Sequence, residues 1–252
     1  MANTSISQSD LISLLGIARQ WLQSPPGEML LAAERAALEK AMERCFGQHM
    51  VTYGLATQPL TDNHQALRNH WRIDLTADGE ALPVDEAYWP FAPQCLDAVL
   101  LHHGLDFCLS PRSVLREASL TVRPGGHLLI FGFNPWSLWG INHLAGREWF
   151  SEAGFVSPAR LVDWLELLGF AVEKRQGGCY RPPLASARWL ERLAWMEGVG
   201  SKYHLPGAGF YFIQARRQMF GMTPRQERTS VFPALTLPPL VAGSRKTHKR
   251  NQ

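Results

Sequence analysis

The stretch that decides the fold runs from residue 89 to residue 137 and reads WPFAPQCLDAVLLHHGLDFCLSPRSVLREASLTVRPGGHLLIFGFNPWS. It contains a continuous apolar run, CLDAVLLHH, which is typical of a central strand buried on both faces. A helix follows, in which Ser110 is placed to be the N-cap and Pro111 takes the first helical position. The glycines of RPGG then turn the chain into a second apolar strand, HLLIFGF.

The segments on either side continue this alternation of strands and helices. A first strand is predicted at HMVTYG, a second at HWRIDL and a third near ALPVDEA, with a short helix over residues 61–69. After the central stretch, SPARLVDWLELLGF reads as a capped amphipathic helix that stops at Gly169, and FAVEKRQ and GFYFIQARR read as strands. This order predicts a mostly parallel sheet covered by helices on both faces.

The first 46 residues have helical periodicity without strand-like runs, and they predict a helical lead. SDLISLLGIARQWL and GEMLLAAERAALEKAMERCFG both have helical periodicity, Pro25 and Pro26 separate them, and Gly47 is placed to end the second. The interpretation is a helical lead over 1–46 and a main domain over 47–217, with a Trp-rich insertion at about 177–206. Residues 218–252 read as a flexible basic tail.

The composition of the chain indicates which kinds of partner and site are not expected. The chain has 252 residues, 46% of them hydrophobic, and a formal charge of +3. That charge is too small to indicate a nucleic-acid partner. The four cysteines are far apart without C-x-x-C spacing, so neither a zinc site nor a disulfide framework is expected, and nothing requires a metal. No apolar run is long enough to span a bilayer and the start lacks the order of a signal peptide, so a cytoplasmic protein without a membrane partner is expected.

The central stretch resembles the class I S-adenosylmethionine-dependent methyltransferases of the methyltransferase type 11 kind. The residues that fall at that family's spacing are Pro90, Phe91, Asp97, Val99, Leu115, Glu117, Pro124, Gly125 and Gly126. The resemblance covers about the middle half of the chain and is more specific for the fold than for catalysis. It implies an α/β three-layer sandwich around a Rossmann-like, seven-stranded, mostly parallel sheet with an antiparallel last hairpin, preceded by the N-terminal helices.

The same resemblance implies S-adenosylmethionine as cofactor, but the glycine-rich loop is degenerate. Where the family has an acid followed by two spaced glycines, this chain has TYGLATQP, so that Gly54 remains and Ala56 stands at the second glycine. No acid precedes them. A small alanine is compatible with close approach of a ligand. Retained binding and a lost or altered site are both left open.

Three acidic residues are candidate cofactor contacts. Asp74 lies about 20 residues beyond Gly54, the usual separation between a nucleotide loop and its ribose-binding acid. The alternative is a solvated aspartate at the end of a strand. Asp85 matches the family's acid that receives the adenine amino group, and Glu86 takes its place if the register is off by one.

Two histidines end the central strand and reach the crevice where a methyl group would be delivered. His102 is a candidate cofactor contact, and His103 is the candidate base, needed only if the acceptor must lose a proton. Strand alternation suggests that only one of the two acts, and a purely structural histidine is the alternative reading. Asn134 and Trp136, together with the insertion, are expected to wall the substrate pocket, although core packing explains them equally well.

The function that the resemblance implies is methyl transfer from S-adenosylmethionine to an unidentified small or medium-sized acceptor. The alternative is a catalytically inactive relative that binds a ligand or a protein partner, and the degenerate loop is what leaves the enzyme assignment uncertain. Nucleic-acid modification ranks last because it rests only on the basic tail and the aromatic insertion. The sequence does not identify the acceptor, the methylated atom or the oligomeric state.

Overall fold

A computed structural model describes residues 7–60, 69–76, 80–139, 153–182, 187–203 and 207–219. The elements, in chain order, are α1 (Gln8–Trp21), α2 (Pro25–Met42), β1 (His49–Gly54), β2 (Asn69–Asp74), β3 (Leu82–Pro83), β4 (Leu96–His102), α3 (Pro111–Thr121), β5 (Val122–Phe133), α4 (Pro158–Leu167), β6 (Phe170–Gly178), α5 (Ala187–Arg192), α6 (Trp195–Tyr203) and β7 (Phe210–Arg217). The helix expected over 61–69 lies outside the described residues, except that Asn69 begins β2. Most of the predicted basic tail lies outside them as well.

The described strands form one seven-stranded sheet in the order β3-β2-β1-β4-β5-β7-β6. Neighbours from β3 to β5 pair in parallel. Strand β7 runs antiparallel to both β5 and β6. The predicted mostly parallel, Rossmann-like sheet with an antiparallel last hairpin is therefore confirmed.

Helices cover both faces of the sheet, each with its own apolar core. On one face Leu30 and Leu38 of α2 belong to a cluster with Leu100 of β4. On the other face Val114 of α3 clusters with Val99, the neighbour of Leu100 on β4. Successive strand residues point to opposite faces, so a strand that is apolar throughout supplies both layers. The result is the three-layer sandwich that the sequence indicated.

The helical lead differs in detail from the prediction. Helix α1 begins one residue after Ser7, whose hydroxyl forms a capping box with Asp10. Helix α2 begins at Pro25 itself. The two prolines therefore start a helix rather than separate two helices, because the first turn lacks intrahelical partners for its N–H groups in any case. The helix ends at Met42, earlier than the predicted stop at Gly47.

Gly47 instead lets β4 approach the start of β1. A Cβ at Gly47 would lie 2.2 Å from the Cγ of Asp97. The Asp97 carboxylate accepts hydrogen bonds from the backbone N–H of Gln48 at 2.7 Å and of His49 at 2.9 Å, and it pairs with Arg123. Asp97 therefore holds the start of β1 against β4.

The chain divides into two compact units, residues 1–220 and residues 221–252, the second of which lies among residues that are not described. The domain boundaries given above therefore stay a prediction. Among the helices that the structure describes, none combines the length and apolar character that a bilayer crossing requires.

Candidate functional site

The carboxyl ends of three parallel strands meet at one edge of the sheet. The register pairs Gly54 of β1 with His102 of β4, and it pairs Tyr53 with Ile73. Asp74, which follows Ile73, consequently ends β2 beside Gly54. Open α/β sheets bind ligands in the crevice outside these carboxyl ends, which makes this edge the candidate site.

Gly54 is required by the packing of the sheet itself. Its φ is +122°, and a Cβ there would lie 2.1 Å from the carbonyl oxygen of His102. The same carbonyl accepts a hydrogen bond from the N–H of Leu55 at 2.9 Å. No side chain fits this position, so the glycine is explained by the close approach of two strands before any ligand is considered.

The loop after Gly54 borders a small cavity. Ala56 is buried and lines a cavity of about 150 Å³ together with Thr57, Gln58, Arg19 and Arg35. Alanine adds only one methyl group to the position where the family has its second glycine. Ala56 is therefore compatible with a ligand beside the loop.

Asp74 is buried and paired, so the alternative of a solvated aspartate is wrong. Its side chain is 4% exposed, and its Oδ2 accepts a hydrogen bond from the Arg19 guanidinium of α1. Its Oδ1 accepts the N–H of Leu75 at 2.7 Å. Arg19 also donates to the Gly54 carbonyl at 3.2 Å. An arginine from the helical lead thus contacts both groups that sequence analysis assigned to the cofactor.

Asp85 and Glu86, adjacent in sequence, lie in different environments. Asp85 is exposed, and its Oδ1 accepts the N–H of Ala87 at 2.8 Å. Glu86 is buried and accepts hydrogen bonds from the N–H groups of Leu109 and Ser110 at 2.9 to 3.1 Å. Its carboxylate thereby stabilises the chain entering α3. Glu86 is thus already engaged by the backbone and Asp85 is open to solvent, and the assignment of either to the cofactor stays a prediction.

The two histidines at the end of β4 belong to a closed, fully buried network. The Glu34 carboxylate of α2 faces both rings, with its Oε2 2.9 Å from Nε2 of His102 and its Oε1 2.7 Å from Nε2 of His103. Nδ1 of His103 lies 2.9 Å from Oδ2 of Asp106. That oxygen also accepts the N–H of Phe133 at 2.9 Å. All four titratable side chains have 0% exposure.

Strand alternation did not predict that both rings would point to one carboxylate. His103 lies one residue beyond β4 and has a left-handed backbone with φ +54°. This conformation breaks the alternation of side-chain direction, so both rings reach Glu34. The expectation that only one histidine faces the site rested on extended geometry that ends at His102.

The pKa values in this network follow from burial and charge pairing. Burial would raise the pKa of Glu34, but the two facing imidazoles outweigh it and lower that pKa to about 2. Burial would lower the pKa of His103, but Glu34 and Asp106 outweigh it and raise that pKa to about 9. For His102 burial prevails and its pKa is lowered. Burial also raises the pKa of Asp106, yet its Oδ2 accepts two N–H groups, which favours the carboxylate.

The predicted role of His103 as a base is not supported by this geometry. Both of its ring nitrogens face carboxylates, and its ring stacks on Phe133 with centroids 4.0 Å apart. A base needs a lone pair within reach of the proton that it removes. In this arrangement both His102 and His103 position the chain at the carboxyl end of β4.

Asn134 and Trp136, the two residues assigned to the substrate pocket, differ in burial. Asn134 is buried; its amide donates to the carbonyl of Ala208 at 2.9 Å and its Oδ1 accepts the N–H of Trp136 at 3.1 Å. Trp136 itself is 81% exposed. Asn134 thus links the turn after β5 to Ala208, and Trp136 is exposed beside it; their assignment to a substrate pocket stays a prediction.

Sequence analysis missed Arg19, Glu34 and Asp106. A signal for Glu34 was present, because it follows Leu30 by four residues and precedes Leu38 by four on the buried stripe of α2. A glutamate on such a stripe needs a partner. No signal identified that partner, since the two histidines are 68 and 69 residues away in sequence.

Comparisons with known proteins agree with this architecture. A family model described as a methyltransferase domain matches residues 36–130. The chain is 29% identical over 211 residues to the uncharacterized protein YafS of Escherichia coli, covering 81% of this chain and 82% of that protein.

Two solved structures illustrate the likeness of fold. One is a putative methyltransferase in complex with the Trm112 methyltransferase activator of Haloferax volcanii, with a TM-score of 0.58 and 12% identity over 80% of this chain and 97% of that one. The other is geranyl diphosphate methyltransferase in complex with S-adenosylmethionine, with a TM-score of 0.52 and 16% identity over 80% of this chain and 95% of that one. The family match over residues 36–130 and the strand order agree with the resemblance of this chain to class I S-adenosylmethionine-dependent methyltransferases.

Proposed function

We propose that the protein transfers a methyl group from S-adenosylmethionine to a small or medium-sized acceptor. The observation that carries the proposal is the position of two aspartates relative to the loop after Gly54. Asp74 ends β2 and Asp85 follows β3, so both lie on the same edge of the sheet as that loop. In this proposal Asp74 accepts the ribose hydroxyls, Asp85 receives the adenine amino group, and the loop carrying Ala56 faces the methionine end.

The residues present fit this cofactor. Asp74 supplies a carboxylate at the end of β2, Asp85 is exposed, and a cavity lies beside Ala56. S-adenosylmethionine supplies an electrophilic methyl group, and its transfer depends on alignment with the nucleophile. The chain's part is to bind and orient. Because His102 and His103 are both engaged by Glu34, the proposal gives them no proton transfer.

Calorimetric titration with S-adenosylmethionine and S-adenosylhomocysteine tests the proposal. We expect micromolar binding to the unaltered chain and a loss of about tenfold or more for Asp74→Asn, because a hydrogen bond to a charged group contributes roughly 1.5–3 kcal/mol. Asp85→Ala should lose less, since Asp85 is exposed. Asp163→Asn, on the exposed face of α4, is the matched control and should bind as the unaltered chain does.

One observation favours the second candidate, a ligand- or protein-binding relative without methyl transfer. Arg19 contacts both the Gly54 carbonyl and Asp74 and so stands where the ribose would bind. Titration of Arg19→Gln separates the candidates. Binding that appears or tightens in this variant would mean that α1 competes with the cofactor and would support methyl transfer. Absence of binding in both the unaltered and the Arg19→Gln chain, each properly folded, would favour the second candidate.

A further inference from the structure

Three side chains at the carboxyl end of β4 form a compact set of metal-ligand atoms. Glu34, His102 and His103 each offer one such atom, and these atoms all lie within 4.8 Å of one another. The carboxylate comes from α2 and the two imidazoles are consecutive. Each oxygen of the carboxylate faces a different ring, at 2.9 Å and 2.7 Å from the Nε2 atoms.

The surroundings of His103 match those of a histidine in known metal sites. A histidine that ligates a metal almost always donates its other ring N–H to a carboxylate or carbonyl, which fixes the ring and its tautomer. Nδ1 of His103 has such a partner in Asp106, and the N–H of Phe133 holds the Asp106 carboxylate in turn. The Nε2 of His103 is thereby directed at Glu34.

The backbone conformation of His103 is unusual, and it turns the His103 ring toward Glu34. His103 adopts φ +54°, a left-handed conformation that only a few per cent of residues other than glycine adopt. Such strain persists where the surrounding structure enforces it, and it clusters at functional sites. Here it turns the second ring toward the carboxylate that the first ring already faces.

The charges of the cluster are also suited to a cation. Two carboxylates, Glu34 and Asp106, are fully buried with two imidazoles. Among the ion pairs of the described residues, no lysine or arginine reaches either carboxylate. A divalent cation would place positive charge between groups that are otherwise compensated only by the imidazoles.

We propose that Glu34, His102 and His103 bind one divalent transition-metal ion, with Zn²⁺ as the best match to two imidazole nitrogens and a carboxylate oxygen. As the ion binds, the proton that each Nε2 donates to Glu34 leaves that nitrogen: His103 releases it to solvent and keeps its Nδ1–H toward Asp106, and His102 changes to the tautomer protonated at Nδ1. Each Nε2 then binds the ion through its lone pair, and Asp106 orients His103 from behind. Three protein ligands leave a fourth coordination position open. This site is separate from the groups assigned to S-adenosylmethionine, so its existence does not depend on methyl transfer.

The test is titration of the untagged, chelator-treated full chain with Zn²⁺ by calorimetry and with Co²⁺ by visible absorption, in the absence of any nucleotide. One ion per chain is expected, with a Co²⁺ spectrum of nitrogen and oxygen ligands. Asp106→Asn should weaken binding about 10- to 100-fold, as loss of an orienting carboxylate does at other metal sites, and His102→Gln should weaken it at least as much. His127→Gln, which alters a buried histidine on β5 outside the cluster, should leave the affinity unchanged.

Three results would overturn the proposal, and the first needs no variant. The unaltered chain could take up no stoichiometric ion while its circular dichroism shows it folded. The Co²⁺ complex could show sulfur-to-metal charge-transfer absorption, which would place the ion on the free thiols of Cys45, Cys95, Cys108 or Cys179. Folded His102→Gln could bind as tightly as the His127→Gln control, which would place the ion elsewhere.

Discussion

Charged side chains are buried and paired differently on the two sides of the crevice. On the side of β1 and β2, Asp74 pairs with one arginine that is itself 13% exposed, and Asp85 is exposed. On the side of β4, Glu34 and both histidines are at 0% exposure, and the Glu34 carboxylate faces the Nε2 atoms of both rings. In the proposed function, the first arrangement exchanges its protein partner, Arg19, for a ligand. The second cannot lose a member without leaving a buried charge uncompensated.

The largest effect that this comparison predicts is on stability. Glu34→Ala removes the carboxylate that both imidazoles face, and removal of one partner from a buried pair costs about 3–5 kcal/mol. Glu39→Ala, on the exposed face of the same helix, should change the free energy of unfolding by no more than about 0.5 kcal/mol. Urea denaturation in the presence of a chelator measures both. Equal, small losses would show that the network contributes little and would break the comparison.

The loop after β1 gives the next effect. Gly54→Ala must adopt φ +122° and place a Cβ against the His102 carbonyl, so we expect a loss of about 2 kcal/mol or more. The reverse change two residues on, Ala56→Gly, should cost about 1 kcal/mol or less. Thermal denaturation of the pair is the measurement. A well-tolerated Gly54→Ala would contradict the close approach of the two strands.

The features that the sequence could predict are those determined by residues close to one another along the chain. The central strand and the Ser110 cap are local patterns, and both are found. The turn predicted at Gly125 is wrong, because Gly125 lies within β5, at an irregularity in its pairing with β4. The start of α2 was misjudged because prolines end helices in their interior but are accepted in the first turn.

The candidate site was less predictable because its members are joined by tertiary contacts. Asp74 lies at the end of β2 as predicted, since the end of a strand follows from local pattern. Its pairing with Arg19 spans 55 residues, and the contact between His103 and Glu34 spans 69. No periodicity within one segment encodes such pairs. The left-handed backbone of His103 likewise depends on its surroundings, because histidine adopts this conformation more often than most residues but still only in a minority of cases.

A smaller effect concerns the pH dependence of stability in the chelator-treated chain. The pKa of Glu34 is lowered from 4.5 to about 2, so its contribution is present above pH 4.5 and is lost as the pH falls toward 2. The pKa of His103 is raised from 6.5 to about 9, so its contribution is present below pH 6.5 and is lost as the pH rises toward 9. The network should therefore stabilise most between about pH 4.5 and 6.5.

Glu34→Gln is the matched variant for this pH profile, because it keeps the shape of the side chain and removes the charge. The difference in unfolding free energy between the unaltered chain and Glu34→Gln should be greatest within that window and should shrink on both sides. Urea denaturation over a series of pH values gives this difference. A difference that does not vary with pH would mean that the network is not ionised as described.

The central claim is that the side of the crevice formed by β1, β2 and the turn after β3 binds S-adenosylmethionine. Hydrogen–deuterium exchange with saturating S-adenosylhomocysteine tests it most directly, because it reports where the ligand acts. The account predicts slower exchange over residues 54–60, 74–76 and 85–88, with α4 unchanged as the internal control. Unchanged exchange in all three segments, or protection only elsewhere in the folded chain, would contradict it.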